Sequence, residues 1–219
     1  DTDWTIFGLS ISNNAGAFSL GGSNLTVTAA STTGTPAIVT HGGASNVVVN
    51  NNIILAATTA PTNRRTMLIT SSGSITFNGV VTNATTGLGD LHIRGAGSGS
   101  GTLAGRVWLG TNTLFHTDVA TWIIASTNNV WGLTDLDQTS TVRIAANDAF
   151  PTNTTIRFNT GGTTGPRVDM NNFNQTVQGF AHTSTNSVGT IRTGTNAGGT
   201  LTVSDQGVAS TYKGAIAEN

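Results

Sequence analysis

The stretch 169-DMNNFNQTVQGF-180 threads three asparagines and two glutamines between Met170, Phe173, Val177 and Phe180. A stack of parallel rungs suits such a pattern, because like residues then stand above like. Asparagines at equivalent corners can hydrogen-bond to the backbone or to one another along the stack, as amides do in cross-β ladders. Asparagine also tolerates the left-handed conformation that a corner imposes. Met170, Phe173 and Val177 are therefore predicted to face the interior. Asn171, Asn172 and Asn174 are predicted to shape the bends, as is Asn147 at an earlier corner.

Outward from this stretch the same rhythm covers the chain. Apolar pairs at i and i+2 recur as Leu9/Ile11, Phe18/Leu20, Leu25/Val27, Val47/Val49, Met67/Ile69, Ile75/Phe77, Leu91/Ile93, Val107/Leu109, Trp122/Ile124, Val142/Ile144, Ile156/Phe158, Val168/Met170 and Leu201/Val203. Each pair predicts a short strand with one buried face. Between them lie SNNAG, GGSN, TTGTP, HGGASN, GAGSGSG and NTGGTTGP, clusters that supply tight corners. No window carries a capped helical stripe. Hairpin dipeptides are scarce: Asn78-Gly79 is the one Asn-Gly, and Asp-Gly does not occur. The expected fold is all-β, a right-handed parallel β-helix or β-solenoid, with rungs of roughly 20 to 30 residues about 4.8 Å apart.

The 219 residues are expected to form a single domain over 1–219. Charged residues make up 9% of the chain, with 9 Lys+Arg against 10 Asp+Glu, so no net field draws nucleic acid. Apolar content of 37% excludes the signature of disorder and leaves solubility to Thr, Ser, Asn and Gly. The absence of cysteine excludes disulfides and thiolate metal sites. No stretch approaches the length of a membrane-spanning apolar segment, so no membrane insertion is expected.

From Ser126 the chain reads STNNVWGLTDLDQTSTVRIAANDAFPTNTTIRFNTGGTTGPRVDMNNFNQTVQGF. This resembles the autotransporter-associated repeat of bacterial surface and secreted passenger proteins, in which NNTWTG, GANDALP and LDLNGFNQTV follow in that order. Matching positions are Asn128, Asn129, Trp131 and Gly132; Ala146 to Ala149 and Pro151; and Val168, Asp169, Asn171 and Phe173 to Val177. GTLTV and T-Y-x-G-x-I elements continue the likeness to residue 219, so the recognisable repeat covers 126–219. Asn172 stands where the family has glycine. The resemblance implies a right-handed β-helix exported to the cell surface or beyond, non-enzymatic, acting in adhesion or surface structure.

Residues with catalytic potential are read against structural roles. Asp148 and Asp169 are 21 residues apart and could stack on neighbouring rungs as paired acids. The repeat motif explains them as a corner and an outward strand residue. Asp135 and Asp137 alternate and, with Asp118, could begin a calcium site, but calcium wants six to eight oxygens and no aspartate-glycine repeat supplies them. His41, His92, His116 and His182 are scattered and are expected to be solvated or at corners; Lys213 and Glu218 are the only lysine and glutamate. Trp108, Trp122 and Trp131 are expected as core filling, with a sugar-stacking platform as the alternative. Arg64-Arg65 is expected in an exposed, cleavable loop, and GAGSGSG at 95–101 as a flexible corner.

No catalytic residue, metal or cofactor is expected. The expected role is a structural or adhesive segment of an exported, filament-forming bacterial surface protein. The alternative is a carbohydrate-active β-helix, either lyase or glycan-binding module. No capping helix precedes Trp4 or follows Ile216, so Ile6 and Ile216 are expected to contact identical subunits or further rungs of the same chain; surface glycans are the second class of partner.

Overall fold

The computed structural model describes residues 2–11, 16–28, 37–40, 45–56, 64–84, 89–159, 165–183, 188–194, 198–204, 212 and 214–218, none of them helical. The chain winds through three faces in turn and pairs each strand with its equivalent on the next pass. The first face carries β1 (Trp4–Ile6), β4 (Leu25–Val27), β7 (Ile53–Leu55), β10 (Val81–Asn83) and β13 (Val107–Trp108). The second carries β2 (Leu9–Ile11), β5 (Ile38–Thr40), β8 (Arg64–Ile69), β11 (Asp90–Gly95), β14 (Thr113–Asp118), β16 (Leu133–Leu136), β18 (Thr155–Phe158) and β21 (Gly179–His182). The third carries, among the described residues, β3 (Phe18–Leu20), β6 (Val47–Val49), β9 (Ile75–Phe77), β12 (Ser100–Leu103), β15 (Thr121–Ile124), β17 (Thr141–Ile144), β19 (Arg167–Asp169), β22 (Thr190–Arg192) and β24 (Ala215–Ala217). A separate pair, β20 (Gln175–Val177) with β23 (Leu201–Val203), takes the place of the first face in the chain's later circuits.

Every pairing is parallel, and register partners lie 20 residues apart at Trp122↔Val142 and 29 at Leu9↔Ile38. The fold is thus the all-β solenoid that the sequence rhythm predicts. Asn78-Gly79 lies between β9 and β10 as a corner joining two faces. A Cβ at Gly79 would fall 2.1 Å from the Asn51 carbonyl oxygen on the pass below, so only glycine fits.

Alternation places one side of each strand inside. The inward column of the third face runs Val47, Ile75, Gly101, Trp122, Val142, Val168 and Ile191 in register, and all are buried. One hydrophobic cluster extends from Ile11 to Ile191. Two sequence expectations are corrected here. Gly95 ends β11 and Gly101 sits within β12, so the glycine run is a corner only at 96–99; Gly101 leaves room for the ring of Trp122 on the next pass. Arg65 lies in β8, opposite Leu91, and is 2% exposed, with Nη2 donating to Ala56 O at 2.7 Å. It is an inward strand residue and not an exposed loop.

The amides fall at corners. Asn171 and Asn172 adopt φ of 48° and 68°, while Met170 and Val177 are fully buried and Phe173 packs against the core from the side. Asn147 Oδ1 accepts from Asn174 N at 2.8 Å, and Asn174 Oδ1 accepts from Thr200 N at 2.9 Å, which ties three successive passes together. An equivalent ladder joins Asp3, Asn24, Asn52 and Val80 N in the earlier passes.

Candidate functional site

Pairing on the first face stops after β13, whose last link is a single bridge between Trp108 and Val130, and β20 resumes it. The intervening pass, residues 147–153, forms no strand there. Gln175 splices across it: Oε1 accepts from Phe150 N at 2.9 Å and Nε2 donates to Phe150 O at 3.1 Å, so one buried side-chain amide imitates a strand neighbour. This break opens a cleft of about 540 Å³ whose lining includes Arg106, Asn128, Asn147, Asp148, Thr152 and Asn153. Asn128 and Asp148 both adopt left-handed backbone, with φ of 57° and 48°. A smaller cleft of about 260 Å³ shares Thr152 and Asn153 and continues past Thr176 and Gln178.

Arg106 is fixed twice. Its Nε donates to Asn128 O at 2.7 Å, and its guanidinium lies 4.4 Å from the ring centroid of Trp108. Trp108 is 47% exposed, whereas Trp122 and Trp131 are 0% and 1% exposed, so the three do not form a platform. Trp122 stacks on Phe77 and donates to Arg94 O; Trp131 meets Phe150 edge-on and donates to Thr134 Oγ1. Sequence reasoning missed Arg106 and Asn153 at this site. The parity of Val107-Trp108-Leu109, with both flanking residues buried, could have flagged Trp108 as outward.

Asp148 and Asp169 do not meet. Asp148 Oδ1 accepts from Thr176 N at 2.7 Å inside the corner cleft, while Asp169 stands on the third face, paired with Arg143 at 2.8 Å. Arg167 follows the same strand as Asp169; burial lowers its pKa, as does the charge of Arg192, and Asp169 opposes both. Asp118 pairs with Arg94, and Asp135, 1% exposed, is held by Arg157 and Asn159. Among the described residues no three His, Cys, Asp or Glu side chains are grouped to hold a metal ion.

The histidines correct another expectation. His116 is an interior strand residue, 0% exposed, with Nδ1 3.0 Å from Ile93 O and Nε2 3.0 and 3.1 Å from Ala120 O and Thr141 O. Burial lowers its pKa against the pull of those three carbonyls. Outward on the second face, His92 is pushed down to about 3 by burial first and then by Arg64 and Arg94. His182 packs against the rings of Phe158 and Tyr212. His41 and Lys213 lie outside the described residues.

The two ends of the stack differ from its flanks. Beside β1 a cleft of about 440 Å³ is lined by Trp4, Ile6, Leu9, Leu20 and Leu25, with Trp4 63% exposed. Beside β23 and β24 a cleft of about 580 Å³ is lined by Phe180, Leu201, Val203, Tyr212 and Ile216, with Ile216 61% exposed. Among the described residues no helix is long and apolar enough to cross a membrane. Set against known proteins, the chain matches no family model, no curated protein and no solved structure. Its likeness to the passenger repeat rests on the quoted residues and on a solenoid fold compatible with them.

Proposed function

We propose that this chain is a non-catalytic structural segment of an exported bacterial surface protein, a stiff β-solenoid whose ends join identical subunits head to tail. The observation that carries the reading is the contrast between flanks and ends. Along the flanks the exposed large apolar residues stand singly, at Trp108 and Val119, whereas apolar clefts lie at the first and last passes, around Ile6 and Ile216. Open strand edges and apolar cross-sections favour pairing with another chain. The edge of β1 faces one way along the axis and that of β24 the other. Contact between them is heterologous, so it propagates a fibre unless the rotation closes a ring. The adhesive and surface role takes its support from the resemblance over 126–219 and from the uncharged polar composition.

Sedimentation velocity over a wide concentration range tests the assembly. Oligomers should grow with concentration in the native chain and vanish in Ile6→Asp and Ile216→Asp, with the strand signature of circular dichroism kept. Native chains that stay monomeric at every concentration would count against it. The lyase alternative needs acids and a base to converge, but Asp148 and Asp169 occupy different faces. Cleavage of polygalacturonate by the purified chain would overturn the non-catalytic reading.

A further inference from the structure

We infer that the cleft opened by the break in the first face is a binding site for a neutral carbohydrate, with Trp108 as its stacking surface. This does not depend on how the ends of the solenoid are covered. The exposed aromatics Trp4, Phe7 and Phe18 lie on the first described pass; Trp108 lies mid-stack, in register between Thr82 and Val130. Exposing an indole there gives up burial that the fold otherwise takes from every other mid-stack tryptophan.

Trp108 is also held. Arg106 covers part of the indole at 4.4 Å and is itself anchored to the Asn128 carbonyl, so the ring does not need ordering when a ligand arrives. Arg106, which touches the indole, and Val130, the register partner of Trp108, both line the cleft, so the indole lies next to its lining though not within it. A volume of about 540 Å³ is of the size that small-molecule sites have.

The polar lining selects the ligand. Asn153 and Thr152 are exposed and their side chains hydrogen-bond to none of the described residues, and the Asn147 amide nitrogen is equally open while its oxygen holds Asn174 N. Amides and hydroxyls of this kind match the alternating donors and acceptors of sugar hydroxyls. The one cation, Arg106, is matched by the one carboxylate, Asp148, so the cleft offers no net charge to a uronate, sulfate or phosphate. An apolar sugar face on the indole, with ring hydroxyls toward Asn147, Thr152 and Asn153, is the arrangement these groups fit.

The test is titration of the native chain with a panel of neutral hexose and N-acetylhexosamine oligosaccharides, followed by amide and indole NMR shifts up to about 10 mM, the range expected of small ligands. At least one member should saturate, with shifts confined to the Trp108 indole and the side-chain amides of Asn147 and Asn153. Trp108→Ala should weaken binding about tenfold or more, since tryptophan is typical of the few residues that dominate a site, and leave the unfolding midpoint nearly unchanged. Asn153→Ala, outside the core and the ladders, should also weaken it. The inference is overturned if no member saturates, if Trp108→Ala and Asn153→Ala both bind as the native chain does, or if a uronate oligomer binds in preference to every neutral one.

Discussion

Gly101→Ala should destabilise the native chain and cease to do so when Trp122 is made smaller. An added Cβ at Gly101 would lie 2.4 Å from Trp122 Cε3 and 2.5 Å from Cδ2 and Cζ3, inside any tolerable contact. The ring has little freedom to retreat. It is fully buried, stacked on Phe77 at 6.4 Å between centroids, and pinned by its Nε1 donating to Arg94 O at 3.1 Å. Overpacking of this kind costs about 1–3 kcal/mol. Replacing glycine by alanine within a strand gives back only about 0.5–1 kcal/mol of backbone entropy. With an overpacking cost of about 2 kcal/mol the net loss is about 1–1.5 kcal/mol, which should lower the urea midpoint by roughly 0.5 M at an m of about 2–3 kcal/mol/M. In a Trp122→Leu background the clash is gone and only the backbone gain remains, so Gly101→Ala should become neutral or stabilising. The cycle of four proteins isolates a coupling of about 2 kcal/mol, within the range for residues in contact. Equal effects of Gly101→Ala in both backgrounds would refute the packing argument, as would stabilisation in the native one.

Other perturbations probe the amides and the charges. Asn129→Ala should cost more than Asn174→Ala: Asn129 is 5% exposed and serves Val107 N, Ser126 O and Ala149 O, so its loss strands buried groups at about 1–3 kcal/mol each, whereas water can replace exposed Asn174 at Thr200 N for about 1 kcal/mol. Urea midpoints in the reverse order would refute this. Arg157→Met should lose about 3 kcal/mol by leaving buried Asp135 without its cation, and Arg94→Met less, because the side chain of its partner Asp118 keeps 15% of its surface exposed against 1% for Asp135; equal losses would show that burial of the carboxylate is not what sets the cost. His92, lowered from 6.5 to about 3, stays neutral in the folded chain, so its contribution is complete above pH 6.5 and is lost as pH falls from 6.5 toward 3, where the unfolded chain takes up the proton first. His92→Asn should flatten the fall of stability across that window, and an unchanged slope would exclude His92 as its source.

Where the inward positions of a strand are aliphatic, the sequence shows it. Val47/Val49, Ile75/Phe77 and Val142/Ile144 all fall in strands with both members buried. Of the strands outside the apolar pairs, β7 is aliphatic inside at Ile53 and Leu55, while several put a polar or absent side chain inside: His116 in β14, Thr134 in β16, Gln175 in β20 and Gly101 in β12. Each is compensated from another pass, by the Ile93 carbonyl for His116, by Thr154 for Thr134, by Phe150 for Gln175 and by the Trp122 ring for Gly101. Such compensation depends on which residues become vertical neighbours, and passes of unequal length hide that register from a linear reading. The cleft was illegible for the same reason. Arg106, Asn128 and Asn153 come from three successive passes and line one cleft where pairing on one face is interrupted, with Trp108 beside Arg106.

Electron micrographs of the purified chain, taken across a dilution series, test the head-to-tail rod most directly. The account predicts straight rods one solenoid wide, lengthening in whole multiples of a single subunit as concentration rises, with a repeat of about 4.8 Å along the rod axis from its stacked strands. Isolated particles of one subunit's length at every concentration, with the first and last passes ordered, would contradict it.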